Sequence, residues 1–161
     1  MQRPDKITYY LNIAKEVSKR GTCLRRVYGA VLVKDDFILA TGYNGAPRTL
    51  DNCCDRNFCI RNKLKIPAGQ NYEKCRSVHA EVNCIIGAAT SGTSIRGSTM
   101  YLFGWDWEKK EIARQNKPCS MCARVLINAQ ISKIICKSQN GYDILEISDL
   151  KEIAEQFMNS S

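Results

Sequence analysis

His79-Ala80-Glu81 and, further along, Pro118-Cys119-Ser120-Met121-Cys122 decide how this chain is read. Both stretches stand where irregular sequence gives way to helical periodicity, with helices expected from about His79 to Ala89 and from Pro118 to Ala129. Toward the N-terminus, Leu11, Ile13, Ala14 and Val17 form a helical stripe within Ile7 to Ser18, which Gly21 ends. Tyr28 to Val33 and Phe37 to Thr41 are β-rich runs separated by Lys34-Asp35-Asp36, the pattern of a hairpin. Further strands are expected at Ser98 to Phe103, Lys133 to Lys137 and Tyr142 to Ile147, and Asp149 to Met158 closes as a helix. Strands and helices mixed in this order require a sheet covered by helices, an α/β layered architecture. Ligands of such sheets gather where strand ends face helix N-termini, and both halves of the motif fall there.

The 161 residues suit one domain, 1–161, with enough apolar content for a core that needs no disulfides. No internal repeat or linker interrupts it. From Gly42 to Arg76 periodicity disappears and Gly, Pro, Asn and Cys accumulate, which marks a cysteine-rich insertion at about 48–77. A loop this long in a compact domain is functional or cross-linked. The nine cysteines would suggest disulfides in a secreted protein. Yet Met1-Gln2-Arg3-Pro4-Asp5-Lys6 lacks the apolar run of a signal peptide and no later stretch could span a bilayer, so a cytoplasmic setting with reduced or metal-bound thiols is expected. A net charge of +8 favours anionic partners. Dispersal of the basic residues, without a dense run or interleaved aromatics, favours small phosphorylated ligands over nucleic acid and leaves a solvated basic face as the plainer alternative.

Cys119 and Cys122 at i and i+3 can turn both sulfurs toward one ion, and a helix N-terminus favours thiolate over thiol. His79, the only histidine, completes three ligands of the types zinc prefers, leaving the fourth tetrahedral position for water, as in catalytic sites. Glu81, two residues from His79, does not stack on the same helical face and is assigned proton transfer rather than ligation. Taken singly, each of these residues could be a buried thiol or a satisfied core histidine. Jointly, His-x-Glu with Pro-Cys-x-x-Cys is an established signature of zinc-dependent nucleobase deaminases.

Beyond the signature, the chain resembles the deoxycytidylate (dCMP) deaminases of the cytidine deaminase-like superfamily over nearly its whole length. The stretches that carry the resemblance are Cys23-Leu24-Arg25-Arg26 before Gly29-Ala30-Val31, Gly42-Tyr43-Asn44-Gly45-Ala46-Pro47, Tyr72 to Asn83, and Pro118 to Cys122. The resemblance implies a three-layer α/β/α fold with a mixed, roughly five-stranded sheet, and hydrolytic deamination of dCMP to dUMP and ammonia, supplying dUMP for thymidylate synthesis. It also implies that Asn44 contacts the sugar and the backbone amide of Ala80 the pyrimidine carbonyl. It further implies assembly as a homo-oligomer, a hexamer in relatives, with dCTP and dTTP as regulators. For the phosphate, Arg26, Arg48 and Arg76 are the candidates, because a guanidinium fork fits phosphate oxygens.

Cys84 and Cys136 sit in apolar runs and read as small hydrophobes. Crowding of Cys23, Cys53, Cys54, Cys59 and Cys75 reads as metal binding. In some relatives a second, structural zinc uses cysteines that match Cys23 and Cys53. Here Cys59 and Cys75 would complete the set, with Cys54 the alternative to Cys53. Trp105 and Trp107, in the long link from Gly104 to Lys117, are expected to pack rather than wall the pocket. Two rival functions stand beside the dCMP reading: a tRNA adenosine deaminase, and a non-catalytic zinc-stabilised regulatory module of the same fold.

Overall fold

The computed structural model describes residues 1–114, 116–156 and 158. Its elements run α1 (Lys6–Ser18), β1 (Arg26–Lys34), β2 (Phe37–Tyr43), short helices α2 (Cys53–Arg56) and α3 (Ile60–Lys63), and α4 (Ala80–Thr90). Then follow β3 (Thr99–Asp106), β4 (Glu111–Ile112), α5 (Ser120–Asn128), β5 (Lys133–Ser138), β6 (Gly141–Leu145) and α6 (Ile147–Glu155). The expected closing helix reached across Phe157, which lies outside the described residues.

The strands order as β2-β1-β3-β5-β6, with β1 and β3 antiparallel, β3 and β5 parallel, and β4 paired to β3. The expected five strands are present. The sixth, β4, is two residues long, too short for a period-2 signal. Asp35 and Asp36 adopt positive φ (50° and 68°), the backbone of a tight hairpin turn between β1 and β2.

Alternation along the strands builds the three layers. Ala30, Leu32, Met100, Leu102, Ile134 and Cys136 face one side and form a core with Ala80, Cys84, Cys122, Leu126 and Leu150 of the helices α4, α5 and α6. Val31, Val33, Tyr101, Phe103 and Ile135 face the other side, against Tyr10, Leu11 and Ala14 of α1. Strands buried on both faces lose the polar half of the alternation, so they read in sequence as continuous apolar runs. Cys84 and Cys136 are fully packed in the first core, and burial pushes both thiols well up, Cys84 to about 12.

One close approach positions the site. A Cβ on Gly42 of β2 would stand 2.3 Å from Cys84 N and 2.5 Å from Ala80 O, so only a residue without a side chain lets α4 lie this close to the sheet. The insertion is then pinched at its base by a bridge between Gly45 and Val78, whose amides donate to each other's carbonyls at 3.2 and 2.8 Å. Within 46–78 only Cys53 and Arg61 are buried. Arg61 substitutes for an apolar core. Its guanidinium donates to the carbonyls of Gln70 (2.6 Å), Asn71 (2.9 Å) and Pro67 (2.7 Å) and lies over the Tyr72 ring at 4.7 Å.

Candidate active site

His79 is the N-cap of α4 and Cys119 the N-cap of α5, both with extended backbone. The helix around the cysteines thus starts at Ser120, one residue past the first sulfur, and Cys119 Sγ accepts the Cys122 amide at 3.5 Å as a capping group. Two helix N-termini meet here across the end of the sheet. His79 Nδ1 lies 3.5 Å from Cys119 Sγ and 3.3 Å from Cys122 Sγ. The three ligand atoms all fall within 4.8 Å of one another, the one such group among the described residues. A tetrahedral Zn²⁺ with bonds of about 2.3 Å to sulfur and about 2.0 Å to nitrogen needs nitrogen–sulfur edges of about 3.5 Å. The donor set fits that ion in both chemistry and spacing.

The electrostatics agree. A hydrogen bond from the Cys122 thiol, assisted by His79, holds Cys119 down at about 4, while Cys122 is pushed up by that same bond and by burial. A divalent cation would displace the proton of that hydrogen bond and favour thiolate at both sulfurs. Burial opposes charge on His79, but the hydrogen bond with Cys119 and the nearby Glu81 outweigh it, so its pKa is raised. Glu81 lies outside the ligand group. It is 5% exposed, and desolvation pushes its carboxyl above the usual range, with Cys119 adding to the effect and His79 opposing it. A carboxyl raised in this way beside a metal group is suited to both taking and returning a proton.

A cavity of about 550 Å³ opens over these residues, with His79, Glu81, Ala80 and Cys119 in its wall. Asn44 and Arg26 also line it. The Asn44 amide already spans the start of β1, accepting from Tyr28 N (2.8 Å) and donating to Arg26 O (2.9 Å). Ala80 is fully buried at the first position of α4, where backbone amides have no intrahelical acceptor. Arg26 is tied through Nε to Asp106 Oδ2 at 2.6 Å. Arg76 lines the cavity and donates to Asp51 O, whereas Arg48 is exposed and lies outside the lining.

Cys23, Cys53, Cys59 and Cys75 line the same cavity. Burial raises the Cys53 thiol, and Cys23, Cys59 and Cys75 are all close enough to raise it further. Cys54 instead points out, exposed, with its thiol 3.6 Å from Asp55 Oδ1. Of the two alternatives, Cys53 is the one that faces the other cysteines. These four sulfurs do not approach one another as closely as the first group does.

Neither tryptophan lines the cavity: Trp105 packs beside the α1 core and Trp107 is half-exposed. Sequence reading missed Tyr72, whose ring stands edge-on to His79 at a centroid distance of 4.9 Å, and Arg61, which orders it. A buried arginine looks like any surface arginine in sequence. Tyr72 stood within a quoted motif, but only folding brings it to the histidine.

The cytidine and deoxycytidylate deaminase zinc-binding region, as a family model, matches residues 4–138. The chain belongs to that family. It is 30% identical over 141 residues to the deoxycytidylate deaminase of Mycobacterium phage D29, covering 84% of this chain and 96% of that protein. The deoxycytidylate deaminase of Schizosaccharomyces pombe is 36% identical over 86 residues, but there the match spans 53% of this chain and 26% of the other. Among solved structures, the dCMP deaminase of cyanophage S-TIM5 in complex with dCMP and dUMP matches with a TM-score of 0.58 and 25% identity, covering 83% of this chain and 82% of that one. Among the described residues no helix is long and apolar enough to cross a membrane.

Proposed function

We propose that this chain is a zinc-dependent deaminase that converts dCMP and water to dUMP and ammonia. The observation that carries the reading is the His79, Cys119 and Cys122 triangle with the buried Glu81 beside it on one cavity wall. Zn²⁺ held by those three residues supplies Lewis acidity that lets water lose a proton near neutral pH. Glu81 takes the proton of the attacking water and delivers it to N3 of the pyrimidine as oxygen adds to C4. It then carries the second proton to the exocyclic nitrogen, and the C4–N bond breaks to release ammonia. The Ala80 amide orients the ring through its carbonyl, Asn44 meets the sugar, and Arg26 contributes from the wall. His79 is kept in place by Tyr72.

A second, structural zinc on Cys23, Cys53, Cys59 and Cys75 belongs to the same reading. Its support is that four cysteines converge on one cavity from separate loops and that Cys23 Sγ already accepts the Arg25 amide at 3.4 Å. Its role is to fix the insertion that walls the cavity. A homo-oligomer, regulation by dCTP and dTTP, and a cytoplasmic location complete the proposal, following the family resemblance.

The test is an assay for ammonia release from dCMP, CMP, deoxycytidine, dCTP and a tRNA anticodon stem. Turnover of dCMP with formation of dUMP is expected. Reaction of the RNA alone would overturn the substrate.

A further inference from the structure

Three cationic side chains on the cavity wall are already engaged: Arg26 with Asp106, Arg61 with three carbonyls, and Arg76 with Asp51 O. Arg25 also lines the cavity but is half-buried, and the segment after β4 contributes two further cations that are placed differently. The Ala113 amide donates to Gly104 O at 3.0 Å and its side chain is buried. Asn116 is also buried, and its side-chain amide donates to Lys137 O on β5. With the chain pinned at 113 and 116, Arg114 and Lys117 are exposed and line the cavity. Lys117 lies two residues before Cys119, at most about 7 Å of extended chain from that metal ligand. Among the described residues Arg114 holds only an exposed pair with Glu111 at 3.1 Å, an interaction of about 0–1 kcal/mol that a phosphate dianion can displace. Among the described residues Lys117 has no ion-pair partner within 4 Å.

We infer that Arg114 and Lys117 form the clamp for the substrate's 5′-phosphate and set the preference for a nucleoside monophosphate over the free nucleoside. The inference rests on the proposed nucleotide deamination. Segment 104–117 then has a function: pairing of Trp105 with Ile112 and Asp106 with Glu111 folds it back, and its end brings two cations to the cavity that holds the reacting centre. Arg supplies a two-pronged donor and Lys a compact charge, a combination suited to a terminal phosphate.

The experiment compares kcat and KM for dCMP and deoxycytidine in the wild type, Arg114→Gln, Lys117→Gln, the double variant, Lys117→Arg and, as a charge control outside the cavity, Lys109→Gln. Each Gln variant should raise KM for dCMP about 10-fold, the worth of one charge-assisted hydrogen bond. Deoxycytidine kinetics should not change, Lys117→Arg should restore most of the loss, and inhibition by inorganic phosphate should weaken in parallel. Equal losses on dCMP and deoxycytidine, or a KM effect in Lys109→Gln as large as in Lys117→Gln, would overturn the clamp while leaving dCMP deamination standing. A wild type that does not turn over dCMP would overturn the substrate reading and the clamp with it.

Discussion

Two groups of cysteines share one cavity, one of them completed by His79, and the molecule holds them by opposite means. His79, Cys119 and Cys122 are mounted on the first turns of α4 and α5, which are seated on a fully apolar core, and their ligand atoms are already within coordination reach. Cys23, Cys53, Cys59 and Cys75 ride on loops and one-turn helices with almost no core, tied by a buried arginine and by main-chain hydrogen bonds. A site that performs chemistry is preorganised by packing, while the proposed loop-organising site would need its ion to finish the fold.

The largest test of that contrast is Glu81→Gln. Because the ligands stand on the core, zinc content should be unchanged while dUMP formation falls by about 10²–10⁴-fold. Near-normal turnover would remove Glu81 from the chemistry. Next is metal removal: freshly purified protein should hold two zinc ions per chain and Cys59→Ser only one. On chelation, limited proteolysis should cut first within 48–77 while far-UV circular dichroism stays close to native. One zinc per chain in the wild type would erase the distinction between the two groups.

Gly42→Ala probes the seating of α4. The added Cβ has backbone 2.3 Å away, so a loss of about 1–3 kcal/mol is expected, which calorimetry would read as about 2–4 °C of Tm per kcal/mol. Arg61→Ala probes the other side. It strands three carbonyls that can reopen to water, so amide exchange across 60–75 should accelerate while Tm moves less than for Gly42→Ala. If Tm fell further than in Gly42→Ala, the insertion would be part of the cooperative core.

The smallest effect concerns Asp106. Burial raises its carboxyl, but the Arg26 hydrogen bond and the Lys109 amide outweigh this and leave it lowered. Its contribution is therefore complete above its ordinary value of 3.8 and is lost as pH falls through the lower folded value. Asp106→Asn should flatten that acid limb of the stability curve, and an unchanged limb would show that the pair contributes nothing.

The first ligand group was legible in sequence for the reason it is rigid: helix starts and strand runs have periods, and the ligands sit at those boundaries. The α/β layering and the hairpin across Lys34-Asp35-Asp36 follow from the same periods. What escaped was non-periodic. The two-residue strand β4, the buried Arg61 and the Tyr72 edge against His79 depend on loops meeting loops, and their residue types are those of any surface. The resemblance to relatives brought Asn44 forward as a sugar contact, yet its two backbone hydrogen bonds give it a structural task that residue type alone does not reveal.

The Gly45–Val78 bridge leaves the two ends of the insertion side by side. Such an excursion behaves as a cassette, since lengthening a closed loop even twofold costs only about 0.6 kcal/mol of closure entropy. The enclosed sequence can be resized, and the wall of the cavity reshaped for another ligand, as long as the Tyr72 edge against the histidine, one residue beyond the clasp, is kept.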